Sequence, residues 1–324
     1  MSTPQPDRPL DYALVDVFAE RALEGNQLAI FTDARGLSTE QMQALARETN
    51  LAETTFILPE EDESQGVRVR IFTVKEEMPF AGHPTLGTAS WLFWNHPRLR
   101  DAAEITLRLN VGPITVRFQV PVPGEAGAFG TMKQNDPVFG MVHSRVEIAR
   151  AIGAALEDVE PDLPIQTVST GLPFCIVPMT SLAAIERLCI PQAAAQAYLA
   201  GTDAKFFYCT TPANPASGAD FHSRMQFYNG EDPATGSASG CAIAYLVRHK
   251  VVRSSQQIVF EQGIEMRRPS RIHVSAALRG EGVTQRGEGV TQKGEGETQR
   301  GEHVTDVFVS GRTIPVASGR FFQR

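Results

Sequence analysis

The sequence predicts an α+β fold of two pseudo-symmetric domains, each a mostly antiparallel β-shell wrapped around a central apolar helix. Strand-like alternation dominates the first half of the chain, and residues 85–94 form an apolar run typical of a helix that is buried on every side. Residues 83–90 also align without gaps on residues 232–239, 149 positions later, and share four of eight residues. This self-similarity indicates an ancient duplication. The cleft between the halves is the expected small-molecule site.

The elements of the first half follow from local patterns. Ser38 and Gln41 form the pattern of a helix cap, and apolar residues then recur at helical spacing until about Thr49. Strands are predicted where β-branched and aromatic residues cluster or alternate with polar ones. The predicted strands are residues 11–18, 28–31, 54–58, 67–72, 105–109 and 114–118.

A Pro- and Gly-rich segment, residues 121–130, marks the predicted junction between the halves. We therefore divide the chain into an N-terminal domain, residues 1–128, and a C-terminal domain, residues 129–324. An alternative division assigns the last strands of the chain to the N-terminal domain. A helical pattern over residues 144–156 opens the second half.

Residues 279–306 form a low-complexity segment of four tandem heptads. The heptads have no hydrophobic seam, so they predict a solvated loop or an extended hairpin rather than a coiled coil. The strand-like residues on either side, 271–275 and 306–310, are expected to pair with each other. We assign the insertion no chemistry.

The composition excludes several classes of function. Because 30 Lys and Arg stand against 37 Asp and Glu, a net charge of −7, the basic face that binds nucleic acid is not expected. No window approaches the ~18 to 20 apolar residues of a membrane span, and the first residues lack a signal-peptide pattern, so we expect a cytoplasmic protein. The four cysteines form no Cys-x-x-Cys pair, and the seven histidines show no metal-site spacing. No phosphate-binding loop occurs, so we expect no metal and no cofactor.

The duplicated segments point to a binding site for a carboxylate. Backbone N–H groups at a helix N-terminus are unpaired and attract anions, so two helix starts at one cleft are suited to hold a small-molecule carboxylate. Gly82 and Gly236 stand at these starts and allow close approach of the backbone to a ligand. For either glycine alone, relief of strain in a turn is as good an explanation as a role in ligand binding. Their duplicated positions favour a binding site.

Four side chains are candidates for chemistry. Glu53 lies between the predicted helix and the apolar strand 54–58, where burial would raise its pKa and suit it to general acid–base work; a solvated carboxylate in a turn is the alternative. His83 and Asp232 occupy equivalent places in the gapless alignment and add an imidazole and a second carboxylate, although each is also a common structural hydrogen-bonding residue. Ser237 is suited either to hold a ligand oxygen or to cap the second helix.

Four motifs, in this order, resemble those of the phenazine-biosynthesis PhzF-like family. They are EGN at residues 24–26, NLAETTF at 50–56, PFAGHPTLGTA at 79–89 and EDPATGSASG at 231–240. The resemblance covers nearly the whole chain except the heptads and the first residues. It implies a fold like that of diaminopimelate epimerase and a homodimer.

The resemblance also implies roles for single residues. It assigns the catalytic carboxylate to Glu53, and it assigns the substrate contacts to His83, Asp232 and Ser237, with Gly82 and Gly236 beside them. The implied reaction is the isomerisation of trans-2,3-dihydro-3-hydroxyanthranilate, in which the Glu removes the ring C3 proton and a proton is delivered at C1. No cofactor is needed, since the site only positions the ring and moves a proton.

In the epimerase relatives, a cysteine stands before each helix. Ala81 and Ala234 stand in those neighbourhoods here. A two-thiol racemase is therefore disfavoured, because a thiolate must be present to act.

Three functions remain open from the sequence, in this order. The first is a cofactor-independent isomerase in which Glu53 transfers a proton between carbons. The second is an epimerase or racemase of an amino or hydroxy acid that uses Glu53 with Asp232 or His83 in place of two thiols. The third is a non-catalytic protein that binds a small molecule in the same cleft, with the heptads as a partner surface.

Overall fold

The computed structural model describes residues 9–227, 230–280 and 302–322. Strands dominate the first half of the chain, and two helices interrupt them. In chain order the elements are β1 (Leu10–Val17), β2 (Asn26–Phe31), α1 (Thr39–Thr49), β3 (Glu53–Leu58), β4 (Val67–Thr73), β5 (Glu77–Met78), α2 (Gly82–Asn95), β6 (Glu104–Leu109), β7 (Gly112–Phe118), β8 (Ala128–Lys133) and β9 (Val138–His143).

The second half has more helices but a similar run of strands. Its elements are α3 (Arg145–Ile152), β10 (Ile165–Ser169), β11 (Pro173–Pro178), α4 (Leu182–Glu186), α5 (Gln192–Leu199), β12 (Phe206–Pro212), β13 (Phe221–Phe227), β14 (Gly230–Asp232), α6 (Gly236–Arg248), β15 (Ile258–Gln262), β16 (Ser270–Arg279) and β17 (His303–Phe321). Two short 3₁₀ turns, Leu156–Asp158 and Pro215–Ser217, complete the described structure.

Helix α1 forms where the capping pattern predicts it. The Ser38 hydroxyl accepts a hydrogen bond from the backbone N–H of Gln41, and the Gln41 side chain accepts one from the N–H of Ser38. The helix ends at Thr49 because Asn50 adopts a left-handed conformation, with φ of 52°. This sharp end turns the chain directly into β3, where Glu53 is the first residue.

The sheet is mixed, and its order of pairings occurs twice. Most described strand pairs are antiparallel, but β2–β3, β4–β6, β11–β12 and β13–β15 are parallel. In the first half, β3 pairs with β2 and β4, and β4 then pairs with β5 and β6. In the second half, β12 pairs with β11 and β13, and β13 then pairs with β14 and β15. The chain therefore has a mixed α+β fold in which one strand arrangement occurs in each half of the chain.

Among the described helices, α2 and α6 are the most buried. Eleven of the fourteen residues of α2 and twelve of the thirteen residues of α6 are buried. Helix α2 packs against β1, β2, β3, β6, β7 and β8, whereas α6 packs against β10, β11, β16 and β17. Their low charge matches this burial, since a charged side chain would lose its hydration at such a position.

The last strand connects the two ends of the chain. Along its length, β17 pairs with β16, β8 and β1. The predicted division between residues 128 and 129 falls at the start of β8, and the division into two domains remains a prediction. The helical pattern over residues 144–156 was too long: α3 ends at Ile152 because Gly153 adopts a left-handed conformation with φ of 71°.

Strands β16 and β17 pair as antiparallel neighbours on either side of the heptad segment. Ser275 lies opposite Phe308 in their register, as predicted for the flanking residues. Of the heptads themselves, residues 281–301 lie outside the described residues. Within the described ranges, every helix is too short or too polar to cross a lipid bilayer.

Candidate active site

The N-termini of α2 and α6 meet in the interior of the molecule. A Cβ atom on Gly82 would lie 3.0 Å from the backbone nitrogen of Ser237, and one on Gly236 would lie 2.7 Å from the Phe18 ring. Both glycines are therefore needed for close packing. In the described structure, neither cap residue, Ala81 or Thr235, places its side chain on the first N–H groups of its helix. These donors are available to an anionic ligand.

The gapless alignment of residues 83–90 with 232–239 is wrong as a structural equivalence. The two helices begin at Gly82 and Gly236, which are 154 residues apart rather than 149. Pro84 lies inside the first turn of α2, whereas Pro233 precedes α6. The shared small residues therefore stand at different places in the two helices.

The corrected alignment changes the pairing of the candidate residues. His83 is the second residue of α2, and its counterpart is Ser237, the second residue of α6. Asp232 ends the short strand before α6, and its counterpart is Met78, which ends the short strand before α2. His83 and Asp232 are thus not equivalent in the repeat, and the two halves contribute different chemistry.

Glu53 is a buried carboxyl group rather than a solvated one. It begins β3 between Leu28 of β2 and Thr73 of β4, and only 7% of its surface is exposed. Burial raises the pKa of Glu53 well above its usual range, and the negative charge of Asp232 raises it further. Such a carboxyl group can hold a proton at neutral pH.

His83 lies beside Glu53 and stays neutral. Its Nε2 is 3.6 Å from Oε2 of Glu53, and this nitrogen has no hydrogen-bond partner among the described residues. Burial lowers the pKa of His83 to about 3, although a backbone hydrogen bond with Gln27 acts in the opposite direction. The imidazole therefore presents an unused polar atom next to the catalytic candidate.

Asp232 is the second buried carboxyl group of the site. Burial raises its pKa to about 7, while hydrogen bonds from the Thr235 hydroxyl and the Asn26 amide act to lower it. Two neighbouring buried carboxyl groups cannot both ionise easily, because each charge disfavours the other. Glu53 and Asp232 therefore titrate as a coupled pair, and both keep their protons to a higher pH than ordinary carboxyl groups.

Asn26 connects the site and was not identified as a site residue from the sequence. Its Nδ2 donates to Oδ1 of Asp232 at 2.8 Å and to the carbonyl of Ala234 at 2.9 Å, and it lies 3.3 Å from Nδ1 of His83. The preceding residue, Gly25, has φ of +62°, and a Cβ there would collide with the carbonyl of Val17. The EGN motif could have identified Asn26, because it combines a glycine that the turn requires with a polar residue at the start of a buried strand.

Gln262 is a further residue that the sequence analysis missed. Its amide donates to the backbone carbonyl of Asp232 and to the hydroxyl of Thr235, and its side-chain oxygen accepts from the Thr235 N–H. It fixes the segment between β14 and α6. A lone Gln in a strand gave no local signal for this role.

Ser237 does not cap α6, since Thr235 is the cap residue. Within the described residues, the hydroxyl of Ser237 makes no hydrogen bond, and only 7% of the residue's surface is exposed. Because Ser237 borders Gly82, its hydroxyl lies at the meeting point of the two helix starts. It is therefore free to contact a ligand there.

A cavity of about 170 Å³ adjoins these groups. Asp232 and Asn26 form part of its wall. The complete lining is Asn26, Gln27, residues 50–52, residues 230–233, Met266 and Arg268. Asp232, one member of the carboxyl pair, thus borders a space of small-molecule size, whereas Glu53 is not among the lining residues.

The sequence matches the family described as "Phenazine biosynthesis-like protein" over residues 15–298. The chain belongs to this family. It is 34% identical, over 84% of its own length and 92% of the relative, to the trans-2,3-dihydro-3-hydroxyanthranilate isomerase of Pseudomonas aeruginosa. An uncharacterised isomerase of Mesorhizobium japonicum is 35% identical, over 83% of this chain and 91% of that protein.

A solved structure is also similar to this chain. A predicted epimerase from Pseudomonas aeruginosa superimposes with a TM-score of 0.76 at 31% identity, covering 97% of this chain and all of the other. The predicted family membership is therefore confirmed, and so is the prediction of an enzyme of the isomerase class.

Proposed function

We propose that this phenazine biosynthesis-like protein is a cofactor-independent isomerase in which Glu53 moves a proton between two carbons of a small cyclic acid. The observation that carries the proposal is the buried pair of carboxyl groups, Glu53 and Asp232, beside an unprotonated His83. The proposed substrate class is that of trans-2,3-dihydro-3-hydroxyanthranilate, which the Pseudomonas aeruginosa relative is named for.

The substrate's carboxylate is proposed to bind at the meeting helix starts. The uncapped N–H groups of α2 and α6 and the partial positive charge at each N-terminus favour a negative group there. Ser237 adds a hydroxyl donor at the same place. The cavity is large enough for one ring, since a protein cavity of about 150 Å³ binds benzene.

The proton transfer needs only the side chains present. The ionised form of Glu53 takes the proton from the ring C–H, and the electron pair that this bond leaves is spread over the conjugated system of the substrate. The same carboxyl group returns the proton to another ring carbon, and the enol formed becomes a ketone. Neither oxidant nor reductant is required, and a base with a pKa near the working pH is the most efficient one.

Asp232, Asn26 and His83 are proposed to support Glu53 in this step. Asp232 adjusts the proton affinity of the pair by its charge, and Asn26 fixes the Asp232 carboxyl group with a buried hydrogen bond. The unused Nε2 of His83 is available for a polar substituent on the substrate or for the carboxyl of Glu53.

Epimerisation is the second candidate, because the solved relative is described as a predicted epimerase. A two-base epimerase needs an acid and a base on opposite faces of one carbon. The counterpart of Glu53 in the second half is Phe206, which begins β12, and the counterpart of Asp232 is Met78. Neither carboxyl group is therefore matched by an acid–base group at the equivalent position of the other half, as two bases related by the repeat would require, and this favours a proton shift over inversion.

The test is deuterium incorporation from heavy water during turnover of trans-2,3-dihydro-3-hydroxyanthranilate. Glu53→Gln should lower turnover and incorporation by at least about 1,000-fold, since the residue that carries the proton is removed. Glu60→Gln, which changes a surface glutamate paired with Arg108, is the matched control and should keep full activity. Exchange by Glu53→Gln at the wild-type rate would overturn the proposal. Homodimerisation remains a proposal from the family resemblance, and a cytoplasmic location remains a proposal from the sequence patterns.

A further inference from the structure

A buried ion pair lies directly behind the site. Arg224 on β13 donates from Nε and Nη2 to the two carboxylate oxygens of Glu231, at 2.7 Å each. Glu231 precedes Asp232 on the short strand β14, and β13 pairs with β14 so that Met225 lies opposite Asp232. A bidentate ion pair of this kind fixes the relative orientation of the two side chains as well as the distance between them. It ties β14, and with it Asp232, to the neighbouring strand.

Arg224 is itself held from a second side. Its Nη1 donates to three backbone carbonyls at the end of α4, those of Ile185, Glu186 and Leu188, at 2.9, 3.1 and 2.7 Å. Carbonyls at a helix C-terminus are unpaired and attract cations. Only 14% of the Arg224 side chain is exposed, so the guanidinium is fixed in one position.

Two further carboxylates and an imidazole complete the charge cluster. His222 places Nδ1 3.1 Å from Oε1 of Glu261 and Nε2 2.9 Å from Oε1 of Glu265. Both ring nitrogens thus face carboxyl oxygens, an arrangement that favours the doubly protonated imidazolium. Burial alone would lower the pKa of His222, but the hydrogen bonds and charges of the two glutamates hold it above its ordinary value. The other oxygen of Glu265 is 3.9 Å from Nε of Arg224.

We propose that Arg224 is a positioning residue, which acts through Glu231 to hold Asp232 in place and to offset the negative charge beside it. The inference rests on the proposed function, because it concerns the same carboxyl pair. Burial is the main cause of the raised pKa of Asp232, and the charge of Glu231 acts in the same direction. Arg224 limits the contribution of Glu231 to the raised pKa of Asp232, because its positive charge offsets the negative charge of Glu231.

Other charged and titratable groups also face Asp232. Glu53 on β3 and His83 on α2 belong to the site, Tyr208 on β12 interacts with the Asp232 charge, and Arg268 lines the same cavity. None of these groups contacts Arg224 in the described structure. A change at Arg224 therefore reaches Asp232 through Glu231.

Two substitutions break the same ion pair but change the charge near Asp232 in opposite directions. Arg224→Gln leaves the Glu231 carboxylate without its cation, whereas Glu231→Gln removes that carboxylate and leaves the Arg224 cation with only the more distant Glu265, at 3.9 Å, as a charged partner among the described residues. The readout is the titration of the Asp232 carboxyl by ¹³C NMR of protein with labelled aspartate, and the signal is assigned with Asp232→Asn. We expect the midpoint to rise by about one pH unit in Arg224→Gln and to fall by about one unit in Glu231→Gln, as for other nearby charges. The double variant should titrate close to the wild type.

A merely structural role would give both single variants the same shift or none, and either result overturns the proposal. Arg145→Gln is the matched control, because Arg145 also binds backbone carbonyls, those of Leu156 and Val159, and lies outside the site. Its midpoint should not move. If Arg224→Gln does not fold, Arg224→Lys keeps the charge and should leave the midpoint in place while Glu231→Gln lowers it. A midpoint that rises in Glu231→Gln contradicts the proposal in that case.

The pH profile of isomerisation supplies a second readout. It should shift to higher pH in Arg224→Gln and to lower pH in Glu231→Gln, in parallel with the NMR midpoints. The titration needs no substrate. If the wild type fails to isomerise the proposed acid, the proposed function fails while the NMR result still decides the role of Arg224.

Discussion

Asp232→Asn should make the protein more stable at alkaline pH, although it damages the site. The carboxyl group of Asp232 has a pKa raised to about 7 in the folded protein, so ionising it there is unfavourable. At a pH between the pKa of Asp232 in the unfolded chain and its pKa in the folded protein, the unfolded chain binds fewer protons than the folded one. Stability therefore falls as the pH rises through this window, and the loss is complete once the pH exceeds both values.

The size of the effect follows from the shift. An unfolded aspartate has a pKa of about 3.9, so a folded value of about 7 corresponds to about three units, or roughly 4 kcal/mol of lost stability above pH 7. Between pH 5 and pH 8 the loss is about 2–3 kcal/mol. Asparagine has no charge to bury, and its side-chain oxygen still accepts the hydrogen bond from Asn26. The coupled charge on Glu53 adds to the effect, because its pKa falls when Asp232 is neutral.

Urea unfolding at pH 5 and at pH 8 measures this difference directly. The free energy of unfolding of Asp232→Asn, relative to the wild type, should rise by about 2–3 kcal/mol between the two pH values. Asp306→Asn is the control: hydrogen bonds from Lys133 and Arg279 hold the pKa of Asp306 below its usual range, so this variant should show no gain at pH 8. Equal pH dependence in wild type and Asp232→Asn would refute a buried carboxyl with a raised pKa.

Two further substitutions test the construction of the site. Gly82→Ala brings a Cβ to 3.0 Å from the Ser237 nitrogen and should lower kcat/KM by at least about tenfold, mostly through KM, in steady-state kinetics. Asn26→Leu leaves Asp232 and the Ala234 carbonyl without their buried donor and should lower the free energy of unfolding by about 2–4 kcal/mol in urea titrations. Full activity in the first case, or unchanged stability in the second, would contradict the geometry described.

Local elements were the predictable part of this structure. The capping box at Ser38, the strand alternation at 67–72 and the uncharged run of α2 each have a cause within a few residues, and each appears where it was predicted. The burial of Glu53 has no such local cause. It depends on tertiary packing, which places Glu53 beside His83 of α2 and close enough to Asp232 to feel its charge, although these residues lie 30 and 179 positions further along the chain.

The internal repeat was detected from the sequence, but in the wrong register. Short runs of Pro, Gly and Ser match at several offsets because these residues are common at helix starts, so the alignment had little power to select one. The strand pairings select the offset of 154, which makes Ser237 the counterpart of His83. Asn26 and Gln262 were missed because a buried amide is defined by its partners, and these lie more than 25 residues away in the chain.

The central claim is that burial and the neighbouring Asp232 keep the carboxyl group of Glu53 protonated at neutral pH, and infrared spectroscopy tests it without a substrate. The difference spectrum between wild type and Glu53→Gln should contain the carbonyl band of a protonated carboxyl group at pH 7, and this band should disappear only at more alkaline pH. A difference spectrum that shows an ionised carboxylate throughout the range from pH 5 to pH 9 would contradict the account.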